Sequence, residues 1–157
     1  MYTPDPHMLG PGLLPTPFTA DEIREATGVG KTIRLFVESP DGSQHERFNR
    51  FEQTDAEGAT LRAWFAENPA DVVTSRVTWT DLQHHAAFPA DHTTVTTEAI
   101  DIPLGRVECT RYDTSDGPDA PVETYWFSPA HPGMPVRYEV PLDGGVLRTT
   151  MMSITTE

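Results

Sequence analysis

The sequence is poor in cysteine, in lysine and in long apolar runs, and each shortage excludes a class of protein. Cys109 is the one cysteine among 157 residues, so no disulfide can form within the chain and a disulfide-stapled scaffold is excluded. The apolar runs span only a few residues, far short of the roughly 20 that a membrane-spanning helix needs. We therefore expect a globular domain without a membrane span, stabilised by one hydrophobic core.

Positive charge is scarce and dispersed along the chain. The chain has 11 Lys and Arg residues and 24 Asp and Glu residues, which gives a formal net charge of −13. Only Lys31 is a lysine. Binding to nucleic acid depends on clustered cations that neutralise phosphates. The sequence has no such cluster, so we expect no nucleic-acid partner. The negative charge suits solubility, or electrostatic steering towards a basic protein partner.

The N-terminal segment differs in composition from the rest. Residues 1–17 are rich in proline and glycine, which prevent regular secondary structure. We expect an extended arm there and a single domain over residues 18–157. The first residues have neither the basic nor the apolar region of a secretory signal. Together with the unpaired cysteine, this predicts a cytoplasmic protein.

Two short helices are predicted. Residues 19–22 (Thr-Ala-Asp-Glu) form a capping box, which predicts a helix that ends near Gly28. A second helix is predicted over residues 80–88, with Thr80 as its N-cap and Pro89 as its stop.

Alternation of apolar and polar residues predicts strands along most of the remaining chain. It is clearest at Ile33, Leu35 and Val37, whereas Phe48 and Phe51 are three apart and predict a bulge or a twist there. About eight or nine such segments follow one another with short turns between them. We therefore predict an α+β fold, mainly β: a curved antiparallel meander sheet, or half-barrel, with one or two short helices on its concave side.

Three segments carry a family resemblance. They contain a P-x-G turn, a strand with a Cys residue, a Trp-Phe strand and a P-G-x-P-V turn, and they span Ile102–Tyr112, Tyr125–Pro129 and Pro132–Val140. This pattern resembles bacterial half-barrel domains of unknown function, similar in architecture to the lipoprotein-carrier (LolA-like) group. The resemblance implies a curved antiparallel sheet around a helix, with an apolar concavity that holds acyl chains in the carriers.

Large aromatic side chains are the candidate ligand contacts, because they combine apolar area with polar tips. We expect them to line an apolar pocket on the concave side of the sheet, with ordinary core packing as the alternative for each. The candidates are Trp64, Trp79, Tyr125, Trp126, Phe127 and Tyr138. The pocket predicts a non-catalytic protein that binds a hydrophobic small molecule or an apolar partner.

A group of titratable residues is the candidate for chemistry. Asp81 and His85 are four positions apart on one face of the predicted second helix, and with His92 they would supply three ligands for a divalent metal. His84 lies beside them. The spacing matches no standard zinc motif, and solvated or packed side chains are the alternative. The sequence has no nucleotide-binding or nucleophile-elbow motif, and we expect no cofactor.

Two other functions stay open. The charge also fits an acidic inhibitor or immunity-type protein bound to a basic partner, and the histidines fit a metal- or His-dependent enzyme. Cys109 lies mid-strand, without a neighbouring base, and is expected to be structural. Cross-strand ion pairs are expected on one solvated face, formed by Glu98, Glu108, Glu123 and Glu139 with Arg106, Arg111 and Arg137. Nothing in the pattern selects an oligomeric state.

Overall fold

The computed structural model describes residues 5–156, in which nine β-strands, two short α-helices and one 3₁₀ turn occur. The strands are β1 (Thr32–Glu38), β2 (Gln44–Thr54), β3 (Gly58–Phe65), β4 (Val73–Thr78), β5 (Thr93–Ile102), β6 (Gly105–Thr114), β7 (Glu123–Phe127), β8 (Arg137–Leu142) and β9 (Gly145–Thr155). The helices are α1 (Ala20–Glu25) and α2 (Trp79–His84), and the 3₁₀ turn covers Ala90–His92. The predicted fold class, α+β with mainly β structure, is confirmed.

The strands form one antiparallel sheet in the order β4-β3-β2-β1-β9-β8-β7-β6-β5. Each half of the chain is a meander, and the two meanders join where β1 pairs with β9. The sheet is curved and does not close, so β4 and β5 are its edges. Because these consecutive strands lie at opposite edges, the chain between them carries α2 across one face of the sheet.

The alternation along β1 determines which face forms the core. Ile33, Leu35 and Val37 are buried, and the residues between them are half-exposed, so these three side chains share one face. Ile23 of α1 belongs to the same buried cluster, and Leu82 of α2 packs against it. We call this helix-covered side the inner face and the opposite side the outer face.

Helix α1 begins as the capping box predicts. The Thr19 hydroxyl accepts a hydrogen bond from the Glu22 N–H at 3.1 Å, and the Glu22 carboxylate accepts one from the Thr19 N–H at 2.9 Å. The helix ends at Glu25, shortly before the predicted Gly28. Within residues 5–156, neither α1 nor any other helix is long and apolar enough to cross a membrane.

Helix α2 begins earlier than predicted. Thr80 is not its N-cap: the Thr78 hydroxyl accepts from the Asp81 N–H at 3.0 Å, and Trp79 is the first helical residue. The reason lies in the Trp79 side chain, which is buried and donates from its indole N–H to the Asp55 carbonyl at 2.8 Å. This bond fixes Trp79 against the turn between β2 and β3, so β4 ends at Thr78.

The N-terminal arm runs along the segment that follows α2. Residues 1–4 of the predicted arm lie outside the described residues. Helix α2 ends at His84, with His85 as its C-cap, and not at the predicted Phe88. Phe88 itself precedes Pro89, and a residue before proline avoids the helical conformation. The Phe88 carbonyl instead accepts from the Leu14 N–H at 2.8 Å. Gln83 of α2 also donates to the Pro6 carbonyl at 2.8 Å, so the arm packs against the helical side of the fold.

The pairing of β2 with β3 contains an irregularity, but not at the predicted place. Phe51 pairs with Leu61 and Gln53 pairs with Thr60, so the register shifts between the two β2 residues. The irregularity therefore lies after Phe51 and not between the two phenylalanines, whose regular pairing places Phe48 and Phe51 on opposite faces of the sheet.

Ion pairs on the outer face follow the prediction only in part. Arg111 pairs with Glu98 at 2.8 Å and with Asp113 at 3.0 Å. Glu108 and Arg106 do not share this face, because they alternate with Val107 and with Cys109, the cross-strand partner of Glu98. Glu123 does not share it either, because it lies two positions from Tyr125, which lines the cavity. The other predicted residues find different partners: Glu139 pairs with Arg148, Arg106 with Asp101, Arg137 donates to Thr150, and Glu123 accepts from Tyr125.

Candidate functional site

A cavity of about 250 Å³ lies between the two helices and the inner face of the sheet. Most of the side chains around it are apolar: Ile23, Ile33, Phe51, Leu61, Leu82, Ala86, Phe127, Met134 and Pro135. Its polar contacts are Thr27, Lys31, Asn49, His85, Tyr125 and Tyr138, and Gly133 completes the lining. This composition, an apolar wall with a few polar groups, is typical of small-molecule pockets.

Cross-strand pairs place the sheet residues of the cavity side by side. Ile33 pairs with Asn49 across β1 and β2, and Phe51 pairs with Leu61 across β2 and β3. Directly opposed residues project from the same face. The wall therefore follows from strand register rather than from any local sequence motif.

Three of the six predicted aromatic contacts line the cavity: Tyr125, Phe127 and Tyr138. Tyr125 and Tyr138 are cross-strand partners, and their rings stack with centroids 6.0 Å apart. Phe88, from the segment after α2, contacts the Tyr125 ring at 5.2 Å and the Phe127 ring at 6.4 Å. These contacts fix the aromatic side of the cavity.

The three tryptophans are not part of the lining. Trp126 lies between two inner-face residues on β7, so it projects from the outer face, where the Arg111 guanidinium lies 5.2 Å from its ring. Trp64 stacks on Phe48 with centroids 5.5 Å apart. Trp79 is buried in its contact with the β2–β3 turn. For these three side chains, the structure shows packing contacts.

Lys31 lines the cavity, and sequence reasoning missed it. Its carbonyl accepts from the Phe51 N–H at 2.8 Å, and its N–H donates to the Gly28 carbonyl at 3.1 Å. Gly30, just before it, has a φ of 84°, which glycine adopts without strain. The Lys31 side chain is only 8% exposed, and its Nζ donates to the Ala26 carbonyl at 3.1 Å.

The surroundings of Lys31 disfavour its charged form. Burial lowers the pKa of the Lys31 ammonium, because the charge loses hydration. Burial also lowers the pKa of His131, and the charge of Lys31 lowers it further. No carboxylate of residues 5–156 forms an ion pair with Lys31. The sequence did contain a signal, since the two-residue spacing of Ile33, Leu35 and Val37 reaches Lys31 when extended backwards.

The histidine group is spread along the crossing segment. Asp81 lies in the first turn of α2, His85 is its C-cap, and His92 ends the 3₁₀ turn. Within residues 5–156, no group of three or more His, Cys, Asp or Glu side chains is arranged to hold a metal ion. His85 is exposed and contacts the cavity, whereas His84 and His92 do not line it.

Cys109 is buried and free, as expected for a structural residue. Burial raises the pKa of its thiol to about 11, and the charges of Glu98 and Glu108 act in the same direction. The thiol is therefore protonated at neutral pH, which makes it a poor nucleophile.

The sequence matches no protein-family model and no curated protein. The nine-stranded antiparallel sheet with few helices is consistent with a half-barrel-like fold, which is the coarse part of the resemblance to the carrier group. Any functional assignment therefore depends on the cavity and on the side chains around it.

Proposed function

We propose that this protein is a non-catalytic binding protein whose cavity encloses a small hydrophobic molecule. The observation that carries the proposal is the cavity lining, in which apolar walls such as Ile33, Phe51 and Phe127 surround a few polar tips. Burying apolar ligand surface against such walls supplies the binding free energy, and polar tips orient the ligand.

The cavity volume limits the size of the ligand. A cavity of about 150 Å³ lined by apolar side chains holds benzene, and the volume here is about 250 Å³. In proportion, the cavity accommodates about ten non-hydrogen atoms. A substituted ring or a short alkyl chain fits this volume. The resemblance to lipoprotein carriers supports an apolar cargo, and the volume favours one smaller than a complete lipid.

We place the protein in the cytoplasm. Cys109 is buried and unpaired, and a free thiol suits a reducing compartment. The alternative function, binding of a basic protein through the net charge of −13, would not need the cavity. A variant with a blocked cavity should therefore lose the binding of a small molecule and keep the binding of a basic protein.

Calorimetric titration with octan-1-ol tests the proposal. Leu82→Trp adds an indole to the lining and is expected to abolish binding, because the ring takes up the free volume. Leu147→Trp is the matched control, since Leu147 is also half-buried but does not line the cavity. Equal binding of octan-1-ol by the two variants, or a wild-type protein that binds no alkyl probe of this length, would contradict the proposal.

A further inference from the structure

The ionisable side chains that line the cavity include basic residues but no acidic one among the described residues. Among the residues that the structure describes, the lining includes Lys31 and His85 but no Asp or Glu. This contrasts with the chain as a whole, in which 24 acidic residues outnumber 11 basic ones. The lining therefore offers no carboxylate to pair with Lys31, and Glu123, which accepts from the Tyr125 hydroxyl, is not part of the lining.

Lys31 lines the cavity without a counter-ion among the described residues. A buried ammonium is costly unless it is paired and fully hydrogen-bonded. Lys31 makes one hydrogen bond through Nζ, to the Ala26 carbonyl, and an ammonium has three protons to donate. Apolar residues such as Ile33 would fill the same space at lower cost, so the charge itself calls for an explanation.

We infer that the hydrophobic ligand carries a carboxylate head group, which pairs with Lys31 Nζ while its apolar tail lies against the aromatic and aliphatic walls. This inference rests on the proposed function, because it assigns the head group of the same ligand. A small amphipathic carboxylic acid has the size that the cavity accommodates and supplies the negative charge that its lining lacks.

Two further polar side chains in the lining suit a carboxylate. The Tyr138 hydroxyl accepts a hydrogen bond from Arg47 Nη2 at 3.1 Å and donates to no acceptor within residues 5–156. Its proton is therefore available to a ligand. The Asn49 side chain also makes no hydrogen bond within the described part of the chain. Both residues line the cavity together with Lys31, so neutral donors accompany the ammonium.

The charge discriminates between ligand classes. A cationic ligand would be repelled by Lys31 inside a cavity of low dielectric constant. A neutral ligand would leave the ammonium without a counter-ion, with its hydrogen bond to the Ala26 carbonyl. A carboxylate gains a charge-assisted hydrogen bond, which is about twice as strong as a neutral one. The overall negative charge of the protein opposes the approach of an anion, so selectivity for one requires this local cation.

Octanoate and octan-1-ol are the probes that test the inference, because they share one alkyl chain and differ in the head group. Calorimetric titrations use the wild-type protein and the variants Lys31→Met, Lys31→Gln and Arg106→Met. We expect wild type to bind octanoate about tenfold more tightly than octan-1-ol, from one hydrogen bond to a charged group. Both Lys31 variants are expected to lose that preference, so that their affinities for octanoate and octan-1-ol become similar.

Arg106→Met is the matched control, because it removes one positive charge at an exposed site outside the cavity. It should keep the wild-type preference for octanoate. Equal affinities for the two probes in wild type, or a preference that survives in a Lys31 variant, overturn the inference and leave the proposed function standing. If the wild-type protein binds neither probe, the proposed function and this inference fail together. Binding of octan-1-ol by each variant shows that it is folded.

Discussion

The Gln83 side chain on α2 donates a hydrogen bond from Nε2 to the backbone carbonyl of Pro6 at 2.8 Å, across 77 positions in the sequence. The same amide nitrogen donates to the Thr16 hydroxyl at 3.0 Å, and Gln83 Oε1 accepts from the Ala20 N–H at 2.9 Å. Gln83 is only 4% exposed, so water competes little for these bonds. One side chain therefore ties the N-terminal arm and the start of α1 to the helix that covers the cavity.

Replacing Gln83 by alanine should loosen this junction. The change leaves the Ala20 N–H and the Pro6 carbonyl without their partners, and we expect it to lower the free energy of unfolding by about 2–4 kcal/mol. Urea denaturation measures this loss, and limited proteolysis should show earlier cleavage within the arm. Gln53→Ala is the control, because Gln53 is exposed and its side chain makes no hydrogen bond within residues 5–156. Equal free energies of unfolding for Gln83→Ala and Gln53→Ala would contradict the role of Gln83 in holding this junction.

Local patterns predicted the elements of this fold because their causes are local. The capping box at residues 19–22 and the alternation along β1 each depend on neighbours within a few positions. The role of Gln83 depends on partners far away in the sequence, and no spacing rule reveals it. Trp79 is similar: its bond to the Asp55 carbonyl spans 24 positions and accompanies a helix start one residue before the predicted N-cap Thr80.

The residues of the candidate site were predictable only in part, as the elements of the fold were. Tyr125, Phe127 and Tyr138 combine aromatic character with positions on strands, and they line the cavity. The face on which each tryptophan lies follows from strand parity and register, which the sequence does not define without the pairing partners. Lys31 was not predicted, because lysine side chains are seldom buried. The two-residue alternation along β1, extended backwards by one step, nevertheless places position 31 on the buried face.

The thiol of Cys109 should be unreactive in the folded protein. It is buried and its pKa is raised to about 11, so thiolate is scarce at neutral pH and reagents have little access. Labelling with a disulfide reagent at neutral pH should be slow for the native protein and complete after denaturation. Rapid labelling under native conditions would show that the strand opens or that the thiol is activated.

Asp55 should contribute to acid sensitivity. The hydrogen bond from Arg76 is the main cause that holds the pKa of Asp55 below its ordinary value of 3.8, and the N–H groups of Glu57 and Gly58 add to it. Because the folded-state pKa is lower than the unfolded one, the stabilising contribution is present above the unfolded value. It is lost as the pH falls through the folded-state pKa.

Asp55→Asn should therefore flatten the loss of stability on acidification below about pH 4. Denaturant titrations at a series of acidic pH values measure the slope. Asp71→Asn is the control, because Asp71 is exposed and its side chain makes no ion pair or hydrogen bond among the described residues. A slope that Asp55→Asn leaves unchanged would assign the acid sensitivity to other carboxylates.

Lys31 should reduce the stability of the protein when no ligand is bound. Burial lowers its folded-state pKa below the ordinary value of 10.5. Between these two pKa values the unfolded chain binds more protons than the folded one, so the contribution of Lys31 to stability becomes more favourable as the pH rises through that window. Near neutral pH, Lys31→Met should therefore be more stable than wild type, since a neutral side chain of similar length enters the cavity without losing hydration.

The difference in the free energy of unfolding between Lys31→Met and wild type should shrink as the pH rises towards 10.5, the ordinary value for lysine. The contributions of the other titratable side chains, which are the same in both proteins, cancel in this difference. Arg24→Met replaces an exposed cation in the last turn of α1, and its difference from wild type should not change with pH, because arginine does not titrate there. A Lys31→Met variant that is less stable than wild type at every pH would show that Lys31 is retained for its bond to Ala26. The predicted result would show that this charge is kept at a cost to stability, as expected of a binding residue.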